Sequence, residues 1–150
     1  MLGGEQVRIC PVEEMIWSKA YVMERERYDG ADVAHLIRAR GRSIDWRHLL
    51  DRFGADWAVL LSHLVLFDFI YPGHRDAVPD AVIEELLARW EAQRWSEPGG
   101  SRLCRGPLLS REQYLHDLEQ LGYRDARLPP HGNMSPEDIA RWTAAIDGSG

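Results

Sequence analysis

The densest group of residues able to do chemistry lies between positions 19 and 32: Lys19, Glu24, Arg25, Glu26, Arg27, Asp29 and Asp32. Lys19 is the single lysine among eighteen basic residues, the other seventeen being arginine. An ammonium is a compact point charge and a guanidinium a planar fork, so the two are not interchangeable at a small phosphate site. A lysine on one helix, turned back toward two aspartates that flank the start of the next, suits the phosphates of a nucleotide and their metal ion. The same residues also have ordinary folding roles. Asp29 can cap a helix, Asp32 can complement its dipole, and the Glu/Arg run can be a solvated face with i, i+3 pairs.

Other candidates carry less. The six histidines show no His-x-x-x-His spacing and lie near no cysteine, so no zinc site is expected. Cys10 and Cys104 form no Cys-x-x-Cys pair and read as inert thiols. Ser62, His63 and Asp68 invite a hydrolytic triad, but Ser62 lacks a strand-to-helix elbow and reads as helix interior. The six tryptophans (Trp17, Trp46, Trp57, Trp90, Trp95 and Trp142) sit at core-like positions and read as packing rather than base stacking. Arg102, Arg105 and Arg111 make a modest positive patch beside Ser110.

The elements that must position the Lys19 cluster are helical. Pro11 with Glu13 and Glu14 marks a helix start, and the apolar residues carry that helix to about Arg27. Asp29 begins a second helix to Arg40, with Val33, Leu36 and Ile37 toward the core and Gly41 as a left-handed stop. Ser43 opens a third, Asp45 to Phe53, stopped by Gly54. A fourth, from about Asp56 to Phe69, is apolar on nearly all sides, which predicts the centre of a bundle. A fifth runs from Pro79 to about Trp95 and a sixth from Ser110 to Gly122. A last one opens on Ser135, Pro136, Glu137 and Asp138. The only strand candidate is Gln6 to Cys10, which alone cannot satisfy its backbone groups. It must pair outside this chain or fold back, as if the chain began partway through a larger fold. The expected architecture is thus mainly α, a bundle of about seven helices with a short N-terminal β-strand. It forms one domain over 1–150: strand 6–10, core bundle 11–95 and a helical extension 101–147.

A length of 150 residues suits one domain, and a net charge of −6 argues against broad binding to a phosphate backbone, so no DNA is expected. The apolar run Trp57 to Tyr71 is interrupted by Ser62, His63 and Asp68 and is too short and polar to span a bilayer. No secretory signal opens the chain, and a cytoplasmic protein without membrane contact is expected.

The stretch Pro11-Val-Glu-Glu-Met-Ile-Trp-Ser-Lys19-Ala, with Arg25-Glu-Arg-Tyr-Asp29-Gly-Ala-Asp32-Val-Ala-His-Leu, resembles the later motif of bacterial nucleotidyltransferase-fold proteins. These include the toxin component of abortive-infection systems and related uncharacterised families. Residues 57–72 and 103–123 also resemble the C-terminal half of one such family, so the likeness covers most of this chain but part of the family's length. The resemblance implies Mg²⁺-dependent transfer of a nucleotidyl group from a nucleoside triphosphate, within the helical C-terminal part of an α/β fold. It makes Lys19 and Arg25 the nucleotide-binding residues, and Asp32 with Asp29 the catalytic acids. It also marks a departure. The family's Gly-Ser followed by an Asp-x-Asp pair holds the metal, yet no Gly-Ser precedes Lys19 and no Asp-x-Asp occurs anywhere. The chain therefore carries no metal ligands of its own and is expected to be inactive alone. It would then be a truncated product completed by a missing N-terminal segment, or a non-catalytic helical interaction module that docks on a protein partner.

Overall fold

The computed structural model describes residues 10–24, 27–96, 102–110, 112–129, 132 and 134–140. The expected strand over 6–10 lies outside them, except for Cys10, which is exposed and carries no regular structure. The protein is mainly α-helical, as its caps and periodicities predict. The chain divides into two compact units, Met1–Ala20 with Gly30–Ala92, and Tyr21–Asp29 with Gln93–Gly150.

The first unit contains α1 (Val12–Ala20), α2 (Gly30–Arg40), α3 (Trp46–Phe53), α4 (Trp57–Ile70) and most of α5 (Asp80–Ser96), with 3-10 turns at Gly41–Ser43, Gly54–Asp56 and Pro72–Ala77. Helix α1 packs on α2 and α3, and α4 lies against both α2 and α3. Val12, Ile16 and Ala20, spaced four apart, are the buried stripe of α1, while Val33, Ala34 and Ile37 are that of α2. Leu36, expected in the core, is half-buried. Helix α3 begins where the Asp45 side chain accepts the His48 backbone N–H at 3.0 Å, and ends at Gly54, whose φ of +52° favours glycine.

Three expectations need correction. Helix α1 stops at Ala20 rather than near Arg27. Residues beyond it turn back instead, with a backbone bond from Glu24 N–H to Arg27 O at 2.8 Å and an antiparallel bridge between Met23 and Tyr28. Gly41 is not left-handed; it opens a 3-10 turn. What position 41 requires is space, since a Cβ there would lie 2.6 Å from the Ala77 carbonyl oxygen. Helix α4 is not enclosed. Leu60, Leu61, His63, Leu64 and Phe67 are buried, but Val65, Leu66, Phe69 and Ile70 face outward, Phe69 being 83% exposed. Apolar composition on every side marks a central helix only when neighbours cover every side, and α2 and α3 cover one.

In the second unit, β1 (Leu103–Cys104) and β2 (Arg124–Asp125) pair in parallel, Leu103 opposite Arg124 and Cys104 opposite Asp125. Two-residue strands are too short to show an alternating pattern, so the sequence reading finds no period there. Between them lie a 3-10 turn at Gly106–Leu108 and α6 (Leu115–Glu119). The helix expected from Ser110 to Gly122 is therefore confined to its middle, although Gly122, at φ +75°, does close the segment. Ser110 is buried, donates to Glu24 Oε2 at 2.9 Å and accepts the Gln113 backbone N–H. The Gln113 bond is one a helix start makes, yet the helix itself begins only at Leu115. The helical residues 136–140 open as expected, Ser135 Oγ accepting the Asp138 N–H and the Asp138 carboxylate accepting the Ser135 N–H, both at 3.1 Å.

Candidate functional site

Lys19 stands in the last turn of α1 and Asp32 in the first turn of α2. The packing of α1 on α2 brings them together, Lys19 Nζ donating to Asp32 Oδ2 at 3.1 Å. Their side chains are 33% and 52% exposed. A pair this exposed contributes roughly 0.2–1 kcal/mol, so a multiply charged phosphate has little to displace when it approaches the ammonium. The position of α1 rests on polar contacts made elsewhere along it. Glu13 Oε2 accepts the backbone N–H of Asp45 at 2.8 Å, and Glu14 accepts from Arg52 Nε at 2.9 Å. The Arg52 guanidinium also lies 3.7 Å from the centroid of the Trp17 ring. Arg52, hydrogen-bonded to Glu14 with His48 beside it, holds the Glu14 carboxyl below its ordinary range.

The C-terminal end of α1 is fixed by a residue outside the Lys19 cluster. His63 on α4 is buried, and its Nε2 lies 2.8 Å from the carbonyl oxygen of Ala20. A carbonyl only accepts, so Nε2 carries the proton and donates. That oxygen is one of the helix-terminal acceptors without an intrahelical partner, and His63 satisfies it next to Lys19. Burial pushes the His63 pKa below its ordinary value. The signal was present in the sequence: a histidine on the same helical face as Leu60, Leu64 and Phe67 must find a hydrogen-bond partner inside. Ser62 instead donates to the Val59 carbonyl at 2.7 Å, an ordinary helical back-bond, and the His63 contact leads away from any triad.

The remaining expected site residues fall differently. Asp29 belongs to the second unit, where its side chain is 13% exposed and pairs with Arg27 at 3.5 Å. Arg25 lies outside the described residues, as does Arg111. Arg102 places its guanidinium 4.3 Å from the Tyr123 ring centroid and donates to the Leu121 carbonyl, so it is engaged within its own unit. Trp46 is buried, whereas Trp90 and Trp95 are exposed, Trp95 at 85%. Cys10 and Cys104 are both free thiols.

No family model, curated protein or solved structure matches the chain in the three comparisons made. The donor set can be judged directly against Mg²⁺, which wants near-octahedral oxygen ligands with at least one or two carboxylates. Among the described residues no three His, Cys, Asp or Glu side chains converge, and the polar partner of Asp32 is a lysine. The described residues do not fit a magnesium site of their own. By length and composition the stretch Trp46–Ile70 is long and apolar enough to cross a bilayer. It is broken, however, by the 3-10 turn and left-handed Gly54, and α4 with its 14 residues rises about 21 Å against a hydrocarbon core of about 30 Å.

Proposed function

We propose that this chain is a nucleotidyltransferase-like protein whose α1–α2 corner supplies a phosphate-binding lysine, with Asp32 as the acid that holds the ammonium in place until a nucleoside triphosphate takes it. The observation that carries the reading is the Lys19–Asp32 contact at 3.1 Å, formed by the two residues that match the lysine and later aspartate of the family motif. The ammonium offers three donors on a flexible stem and suits a terminal phosphate. Asp29, although part of the motif, pairs with Arg27 in the second unit and is given no role here. Because the described donor set does not fit magnesium, the chain's own part is binding and orientation of phosphate, and transfer would need carboxylates from another source.

A second reading, a non-catalytic helical module that docks on a separate protein, is favoured by the bare apolar face of α4 at Val65, Leu66, Phe69 and Ile70. One calorimetric experiment separates the two. Nucleoside triphosphates titrated into the folded chain, with and without Mg²⁺, should bind, and Lys19→Ala should weaken binding about tenfold, the loss expected for one charge-assisted hydrogen bond. No binding, or binding that Lys19→Ala leaves unchanged, removes the nucleotide reading and leaves the docking module.

A further inference from the structure

We infer that the cleft between the C-terminal end of α2 and the 3-10 segment Pro72–Ala77 is an anion site that takes the phosphate groups of a small molecule. It is a separate place from the Lys19 corner. Asp32 lies in the first turn of α2 and Arg40 ends it, eight residues and about 12 Å of helical rise apart.

The cleft encloses about 460 Å³ and is lined by Arg38, Arg40, Arg42, His74 and Asp76, among others. That is within the range of small-ligand pockets, about 300–1,000 Å³, and larger than a lone phosphate needs. Its charge is one-sided. Three guanidinium groups meet one carboxylate, in a chain whose acids outnumber its bases by 24 to 18. Arg42 alone is neutralised, by Asp76. Arg38 donates from Nη1 to the Tyr71 hydroxyl at 3.3 Å and lies over that ring, and Arg40 donates from Nε to Ser43 Oγ at 3.4 Å. Both partners are neutral, and among the described residues neither guanidinium has a carboxylate at ion-pair distance.

The arginines are not engaged in closing their helix either. The Arg40 carbonyl accepts from Ser43 Oγ at 2.9 Å, and the Gly41 carbonyl accepts from the Trp46 indole N–H at 3.1 Å. The helix end is thus satisfied by other groups, while the charged forks of Arg38 and Arg40 are held by neutral partners at the cleft. Exposed guanidinium forks of this kind match the paired oxygens of a phosphate. The net charge of −6 argues against a polymeric nucleic acid as the occupant and for a small phosphorylated molecule within the cleft.

The test is calorimetric titration of the full chain with pyrophosphate and with ADP in the presence of EDTA, which removes any metal-bridged binding elsewhere. Circular dichroism would confirm that each variant is folded. In a Lys19→Ala background, which removes the proposed corner site, both probes should bind one per chain and more weakly as salt is added. Arg38→Ala and Arg40→Ala should each weaken binding about tenfold, whereas Arg89→Ala, away from the cleft, should not. Asp76→Asn should strengthen it severalfold, because it removes the one carboxylate and releases Arg42. Absence of binding by either probe, affinity unchanged in both arginine variants, or weaker binding in Asp76→Asn would each overturn the proposal. Asp76 is exposed and paired only at the surface, so that variant keeps the test decisive even if Arg38→Ala disturbs the Tyr71 contact.

Discussion

Replacing His63 by glutamine should flatten the dependence of stability on pH below about pH 6.5 while keeping most of the stability above it. The argument starts from the bond itself, His63 Nε2–H to the Ala20 carbonyl at 2.8 Å, with both residues buried. A buried acceptor left without its donor costs about 1–3 kcal/mol, so His63→Leu should lose that much above about pH 6.5. The protonation part follows from burial, which depresses the folded-state pKa below 6.5, partly offset by the backbone bond. In the unfolded chain His63 takes up a proton as pH falls through about 6.5; in the folded protein it does so only at lower pH. The unfolded state therefore binds more protons in that window. Stability is full above about pH 6.5 and falls as pH drops toward the folded-state value, with a limiting slope near 1.4 kcal/mol per pH unit for one proton. Glutamine keeps an N–H donor and does not titrate. Urea unfolding followed by tryptophan fluorescence at a series of pH values measures both effects. An equal pH slope in the wild type and His63→Gln, or an unchanged midpoint in His63→Leu at neutral pH, would refute the reasoning.

Two further outcomes test the packing. Gly41→Ala should destabilise by about 1–3 kcal/mol, read as a lower thermal midpoint, because the new Cβ meets the Ala77 backbone oxygen at 2.6 Å and Ala77 Cβ at 2.8 Å, and backbone yields little. Phe67→Ala and Phe69→Ala, two residues apart on α4, should differ sharply in denaturant midpoint. The first empties a fully buried site and costs about 3–5 kcal/mol, whereas the second, at 83% exposure, should stay within about 0.5 kcal/mol.

Local chemistry makes much of the fold legible in the sequence. Gly54 and Ser135 each act within one turn of themselves, so the sequence places their helix ends correctly, whereas the third helix is capped by Asp45, and Ser43, expected to open it, ends the preceding 3-10 turn. The errors share a cause, which is that a distant contact overrides a local preference. Residues 21–24 carry helix-compatible side chains, yet the Met23 N–H bonds to the Leu109 carbonyl at 3.0 Å and Glu24 receives Ser110. Those partners lie some 86 positions on, and no window of sequence displays them. The short β1–β2 pair is equally non-local, joined by bonds such as Arg124 N–H to Arg102 O. The Gly41 error is of another kind. Glycine after a helix reads as a left-handed stop, but close approach to Ala77 gives the same letter for a different reason.

The candidate site was legible in part for the same reason. Lys19 and Asp32 sit on two helices packed directly on each other, and the contact between them follows once those helices are placed. Asp29, three residues from Asp32, goes to a different unit because the chain between the helices leaves the helical path at Tyr21 and turns back through Val22, whose carbonyl accepts the Asp29 N–H at 3.1 Å. Sequence proximity therefore overstates what the motif assembles. Of its four residues, Lys19 and Asp32 are joined directly, and what holds the lysine's helix end is His63, forty-three positions beyond Ala20. A function built on this corner depends on that buried histidine as much as on the charges in view. His63→Leu therefore bears on the nucleotide reading as well: leaving the Ala20 carbonyl unpaired should weaken the calorimetric binding of a nucleoside triphosphate at Lys19 without touching either member of the pair.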